Sequence, residues 1–273
     1  MSGLVIDHGD PWYLSPNVWA VPTSSPDGPS PGELSPKTGQ QYYLKAQVRN
    51  TETFQITNAQ VNLYWADPSL TITRSNAHLV GYAFVSVDGG QTAEVLCLSP
   101  WTPSFVNQGH ECLLAEVVQG TPSPSDALDG QNDPHVAQRN LSVIMSFGTS
   151  FHFAFEVCNP ERKDQVFAVH AQQADHEQLE AVVRLFGNHL GSLAKGTIQE
   201  LGFVESPCPD MHALKGVISQ ITHLKLGPYG CAGYSVVGKL EGRAALVHVT
   251  QTVEKRVIGG LSILILHEEE EKR

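Results

Sequence analysis

Carboxylates, imidazoles, thiols and aromatic rings are the groups with which a protein does chemistry, and this chain spreads them unevenly. Asp126, Asp129 and Asp133 fall in one polar segment, 119–134 (QGTPSPSDALDGQNDP). Clustered carboxylate oxygens suit a hard cation, and calcium is the ion such a set would take. Their spacing departs from the EF-hand loop, and aspartates also occupy turns for the hydrogen bonds they make to their own backbone. The expectation is a solvated turn, with calcium as the alternative ligand. Twelve histidines are many for a chain of 273 residues, so a metal centre has to be weighed. His176 beside Glu177 offers an imidazole and a carboxylate, and His170 stands across a turn from it. No two histidines share the i, i+2 spacing of a strand face or the i, i+4 spacing of a helix face, so no pair is aimed at one ion.

The five cysteines, Cys97, Cys112, Cys158, Cys208 and Cys231, form no CxxC pair, which argues against a zinc ribbon or a thioredoxin-type motif. An odd number leaves at least one thiol unbridged. Cys112 and Cys158 sit in apolar runs, where a buried thiol behaves as a small hydrophobe. Cys97–Cys112 and Cys208–Cys231 are the conceivable bridges, and the lack of an export signal argues for thiols instead. Neither a GxSxG elbow, an HExxH helix nor a Walker-type loop is present. The glycine-rich Gly227–Gly233 leads into no helical pattern, so it reads as a turn before a strand rather than a phosphate cradle.

Aromatic residues supply the remaining chemistry. Trp12, Tyr13 and Trp19, with Tyr42, Tyr43, Tyr64 and Trp101, are rings of the kind that stack on sugars or fill a partner's pocket. Trp12 and Tyr13 precede the first strand and are expected to be exposed. With Trp19 they are the candidates for ligand or partner contact. Trp65 shares the inward face with Leu63 and reads as a core anchor, and Trp101, bracketed by prolines, reads as a plug at the core's end.

These residues need a scaffold, and composition points to a β-rich one. Hydrophobic residues make up 41% of the chain, enough for a proper core, and 24 Gly with 17 Pro imply many turns. A net charge of −11, with few and scattered Lys and Arg, disfavours nucleic acid, whose phosphates require a concentrated cationic surface. The acidic run 268–271 reads as a solvated terminus. No apolar run approaches the roughly 20 residues of a membrane span. Residues 1–10 lack the basic and apolar regions of a secretory signal. The compartment is left open: retention inside the cell or export by an unconventional route.

Period-two alternation marks the strands. In 42–49, Leu44, Ala46 and Val48 face a core while Lys45, Gln47 and Arg49 face solvent; 61–65, 79–87, 92–98, 112–118 and 135–145 continue the series. The segment 21–40, crowded with Pro, Ser and Gly, is a surface loop. A second module starts near Ser146 with the alternating 151–158 and resumes at 166–170. There the period changes: Leu179, Val182, Val183, Phe186 and Leu190 fall at helical spacing, Asp175 is placed to cap, and Gly187 to stop the helix. Strands return at 234–240, 244–251 and 260–267.

Several of these strings resemble bacterial immunoglobulin-like domains of the cell-adhesion-related CARDB type. The matching strings are 15–19 (SPNVW), 48–50 (VRN), 61–68 (VNLYWADP), 99–103 (SPWTP), 110–116 (HECLLAE) and 136–143 (VAQRNLSV), covering about residues 12–145. The resemblance implies an immunoglobulin-like sandwich with a role in adhesion, assembly or display, and it brings no catalytic residues. The expected architecture is all-β: two tandem immunoglobulin-like antiparallel β-sandwiches, 1–145 with an N-terminal extension and 146–273 with a short helix near 176–187 and an excursion at about 171–230. The expected function is a non-enzymatic structural or interaction protein, a subunit of an oligomeric or filamentous assembly or an adhesion module. Its partner is another protein or its own copies, with residues 1–14 as a strand donor. The alternatives are a carbohydrate-binding module using the N-terminal aromatics, and a metal-dependent enzyme built on the second module.

Overall fold

The computed structural model describes residues 3–30, 32, 36–67, 69–103, 111–118, 128–146, 148–186, 195–205 and 216–267. The chain forms two compact units, one of Met1–Asp67 with Ile72–Asn140, the other of Pro68–Thr71 with Leu141–Arg273. Each is all-β and built of facing sheets.

The first unit contains β1 (Leu4–Val5), β2 (Val18–Pro22), β3 (Tyr42–Asn50), β4 (Ile56–Ala66), β5 (Ala77–Val87), β6 (Thr92–Trp101), β7 (Cys112–Val117) and β8 (Val136–Arg139). One sheet centres on β3, with β6 along one edge and β1 and β2 sharing the other. The second runs β5–β4–β7–β8, and every pairing is antiparallel. Val18, Leu44, Ala46 and Val48 of the first sheet meet Val61, Leu63, Leu113 and Ala115 of the second in one dry core. Alternation along each strand is what puts these side chains on a common face.

Lys45 departs from the alternation and is buried. Its Nζ lies 2.7 Å from Glu94, 3.3 Å from the Gly28 carbonyl and 5.3 Å from the centre of the Trp19 ring. The aliphatic stem covers the indole while the ammonium keeps polar partners. Trp101 is buried against Tyr42, whereas Trp65 sits only partly buried at the rim of the core, stacked on His78 at 4.2 Å. The apolar run at Leu4 is used inside this unit: Leu4 and Val5 pair with Asn50 and Arg49, and Leu4 and Ile6 are buried. The expectation of a free strand donor is corrected accordingly.

The expected strand 135–145 divides at Asn140. β8 stays in the first unit, and β9 (Leu141–Ser146) pairs in parallel with the last strand of the second. The units therefore part at 140/141 rather than 145/146. The second unit continues with β10 (Ser150–Cys158), β11 (Gln165–Gln173), α1 (His176–Phe186), β12 (Thr197–Val204), β13 (Gln220–Leu226), β14 (Cys231–Glu241), β15 (Ala244–Val253) and β16 (Arg256–His267). Its sheets are β10–β14–β12 and β13–β11–β15–β16–β9. Phe151, Phe153, Phe155 and Val157 of β10 pack with Phe167, Val169, Val247, Val249, Ile263 and Ile265.

Helix α1 opens with a reciprocal cap: the Gln178 N–H donates to Asp175 Oδ1 at 2.8 Å, and Asp175 N–H to Gln178 Oε1 at 3.1 Å. Leu179 and Val182 form its buried stripe. Gly187 and Leu190 lie outside the described residues. The expected excursion 171–230 contains two strands, β12 and β13, that pattern reading does not reveal. No helix among the described residues is long and apolar enough to cross a membrane.

Candidate interaction surface

The outer face of the β5–β4–β7 sheet brings together the most distinctive side chains of the first unit. Residues directly opposite in an antiparallel ladder project to the same face. The register places Phe84 opposite Gln60, Tyr82 opposite Asn62, and Leu79 opposite Tyr64; Asn62 in turn faces Glu116. Apolar and aromatic side chains thus line the edge strand, with polar ones a strand further in.

The polar part is a connected network. Gln60 Nε2 donates to Asn62 Oδ1 at 2.7 Å, and the Tyr64 hydroxyl donates to Glu116 Oε2 at 2.9 Å. Asn62 Nδ2 approaches the same oxygen at 3.5 Å, and Arg74 pairs with Glu116 Oε1. Burial beside the Glu116 charge pushes the Tyr64 hydroxyl up to about 12, so Tyr64 is a neutral donor at physiological pH. Beneath it, Tyr64 packs with Ile72, Leu114, Leu128 and Val136 in a small second core.

The edge strand exposes its outward side chains. Leu79, Tyr82 and Phe84 are 56%, 57% and 54% exposed, and the two rings meet edge to face at 5.8 Å. Scattered apolar residues on a surface are ordinary, but three in register on one edge strand make a patch. Among the described residues β5 is laddered only to β4, and β6 of the other sheet runs close along it, near enough at Gly81 that a Cβ there would meet Cys97 and Ser99. Its sequence, AHLVGYAFVSV, has no acidic residue, lysine, arginine or proline. Natural edges are usually blunted by such residues or by bulges. β5 has a bulge at Val80 but no charge, whereas β6 carries Glu94 and Pro100, β10 carries Glu156, and β13 carries Lys225; the shorter edge strand β9 is uncharged as well. β12 carries Glu200 in the left-handed region, where the register shifts.

The residues singled out by sequence lie elsewhere. Tyr13 and Trp19 are 2% and 0% exposed, and Trp12 is half-buried, edge-on to Tyr13 at 5.5 Å. The expected exposure of Tyr13 is overturned: a ring so enclosed offers no face to a sugar. Trp19 donates its indole N–H to the Gly28 carbonyl, which fixes it as a structural residue. Asp126 lies outside the described residues. Asp129 accepts from the Gln131 N–H and from Asn132 Nδ2, and Asp133 accepts from the His135 N–H, the turn chemistry that aspartates perform on their own backbone. No third ligand-type side chain gathers with them among the described residues.

His176 faces Glu180, one helical turn on, at 3.1 Å, rather than Glu177. Neither conceivable disulfide forms within the described residues. Cys158 bridges to Cys231 while Cys97 and Cys112 are buried thiols, and Cys208 lies outside the described residues. The reason is register, because Cys158 and Cys231 stand directly opposite on β10 and β14. As expected, Gly227–Gly230 is a turn, closed by the Gly230 N–H on the Gly227 carbonyl.

Fold and surface together define an all-β protein of two sandwich units, one of which presents an uncharged, aromatic edge. No family model matches the chain, and no curated protein sequence does. Among solved structures it is similar to a Paenibacillus cycloisomaltooligosaccharide glucanotransferase (TM-score 0.24, 24% identity, 38% of this chain and 12% of that one). It is also similar to red sea bream transglutaminase (TM-score 0.26, 11% identity, 86% and 30%) and to a Bifidobacterium adolescentis GH3 beta-glucosidase (TM-score 0.25, 18% identity, 50% and 17%). The chain spans less than a third of the length of each. At these scores the likenesses carry no argument about function.

Proposed function

We propose that this chain is a non-catalytic interaction protein whose sandwiches are immunoglobulin-like and whose assembly contact is the β5 edge. The CARDB-type resemblance of the first half supports the class. So does the connectivity: the first unit mixes hairpins (β2–β3, β4–β5, β7–β8) with crossings between its sheets at β3–β4, β5–β6 and β6–β7, as immunoglobulin-like sandwiches do. The observation that carries the proposal is β5 itself, an eleven-residue edge strand without charge or proline that displays Leu79, Tyr82 and Phe84. Exposed rings and an aliphatic side chain gathered on an uncharged strand are the kind of apolar patch that a partner covers. A second copy of the chain is the partner put to the test.

Light scattering across a concentration series tests this. The native chain is expected to exceed the monomer mass, and the double variant Tyr82→Lys, Phe84→Lys to run as a monomer with unchanged circular dichroism. A native chain that stays monomeric at every concentration, or an assembly that survives the double variant, removes the proposal.

A second reading, glycan binding, moves from the N-terminal aromatics to this same face. Tyr82 and Phe84 stand beside Gln60 and Asn62, a combination that stacks on sugar rings and hydrogen-bonds their hydroxyls. A glycan array without hits, or with hits indifferent to Tyr82→Ala, would count against it.

A further inference from the structure

The disulfide and one neighbouring carboxylate form a cluster that the β5 surface does not use. Glu156 and Cys158 are two residues apart on β10 and therefore share a face, and Cys231 opens β14 opposite Cys158. The Glu156 carboxylate oxygen lies 3.8 Å from Cys158 Sγ, and ligand atoms of all three residues fall within 4.8 Å of one another. We propose that, once the bridge is reduced, Cys158, Cys231 and Glu156 bind a borderline-soft divalent metal, zinc foremost. The disulfide and the metal are then alternative states of one site.

Three features carry this. The donor set is two thiolates and a carboxylate, ligands that zinc accepts together, with the fourth position left to water. The β10–β14 ladder continues without interruption from Ser150 to Cys158, and the two cysteine Cα atoms are 4.2 Å apart. Opening the bridge therefore leaves the sulfurs side by side. Side-chain rotation has only to bring them to ~3.8 Å, the tetrahedral separation implied by Zn–S bonds of about 2.3 Å. Finally, Glu156 stands opposite Gly233, which has no side chain to compete for the site. Cys231 is exposed, giving a reductant access.

The conversion balances. A small dithiol delivers two electrons and two protons: the S–S bond breaks, two thiols form, and the dithiol closes to its own disulfide. Zinc then displaces both thiol protons as two Zn–S bonds form.

The test uses the full chain, reduced with a dithiol, freed of it without oxygen, and titrated with zinc against a chromophoric chelator. The reduced chain is expected to bind one ion and the oxidised chain none. Cys231→Ser should abolish uptake. Glu156→Gln, which leaves both thiols in place, should weaken it at least roughly tenfold. Cobalt in place of zinc should give thiolate-to-metal charge-transfer absorption. A reduced chain without stoichiometric uptake, or uptake unchanged in Cys231→Ser, overturns the proposal. Should reduction unfold the second unit, refolding on addition of zinc supports the site, and failure to refold with zinc overturns it.

Discussion

Replacing Glu116 by Gln keeps the shape of the side chain and removes its charge, which isolates what that charge does. Glu116 is 11% exposed in its side chain and takes the Tyr64 hydroxyl at 2.9 Å and the Arg74 guanidinium, itself 23% exposed. Hydrogen bonds to charged groups are worth about 1.5–3 kcal/mol each, and breaking a fully buried pair costs about 3–5 kcal/mol. Arg74 has some access to water and rehydrates in part, so the expected loss is about 2 kcal/mol. Urea denaturation of native and variant chains at neutral pH measures it.

A second readout follows from Tyr64. Its hydroxyl is pushed up to about 12, first by burial and then by the Glu116 charge and hydrogen bond. The folded chain therefore holds this proton where the unfolded chain has already lost it. Stability is fully present below the ordinary tyrosine value near 10 and drains away as pH rises from there towards 12. For the native chain the loss is about 2 kcal/mol after allowing for solvent screening. Glu116→Gln should shrink it, because the charge is gone while burial remains. An unchanged urea midpoint at neutral pH, together with an unchanged alkaline slope, would refute the account.

Four further outcomes are expected. Gly259→Ala should cost about 3 kcal/mol in thermal unfolding, because its Cβ would lie 2.0 Å from the Leu70 carbonyl oxygen, held in place by the Leu70 N–H bond to the Glu156 carbonyl; a loss within experimental error would show the approach is not tight. Trp19→Ala should cost about 3–5 kcal/mol, as a fully buried indole leaves a large cavity, and an intact melting temperature would contradict its structural role. Asp7→Asn should cost only about 0.5 kcal/mol, the pair with Arg49 being about half exposed. Arg49 holds the Asp7 carboxyl below its ordinary value, so this contribution is present above that value and lost as acid protonates Asp7; a difference that persists in strong acid would be inconsistent. Tyr82→Ser should leave the urea midpoint of the monomer within about 0.5 kcal/mol, since the ring is exposed, and a larger loss would mean that the ring packs.

Strands with one wet and one dry face were legible in the amino-acid order. β10 alternates cleanly, β3 does so apart from the buried Lys45, and Asp175 was readable as the helix cap. β12 was not, because its register shifts between Gln199 and Gly202 and the alternation breaks there. β13 was not, because it lies at an edge and most of its side chains are exposed. The interaction surface was half legible. Residues 79–87 read as a strand, and apolar residues on both of its faces are a visible signal, but its place at the edge depends on which distant strand pairs with β4. The Cys158–Cys231 bridge was hidden for the same reason, since only the β10–β14 register brings two strand-borne cysteines opposite.

The parallel pairing of β9 with β16 bears on how the second unit is made. Leu141, among the first of this unit's strand residues to leave the ribosome, pairs with Ser262 and waits for nearly the whole unit to follow. Until then β9, an uncharged LSVIMS segment, has no native ladder partner among the described residues. Closing so long a loop costs entropy before any contact repays it, which slows folding. The exposed apolar strand is meanwhile open to misplaced pairing. During synthesis, therefore, the species most open to misplaced pairing is an incomplete second unit with β9 unpaired.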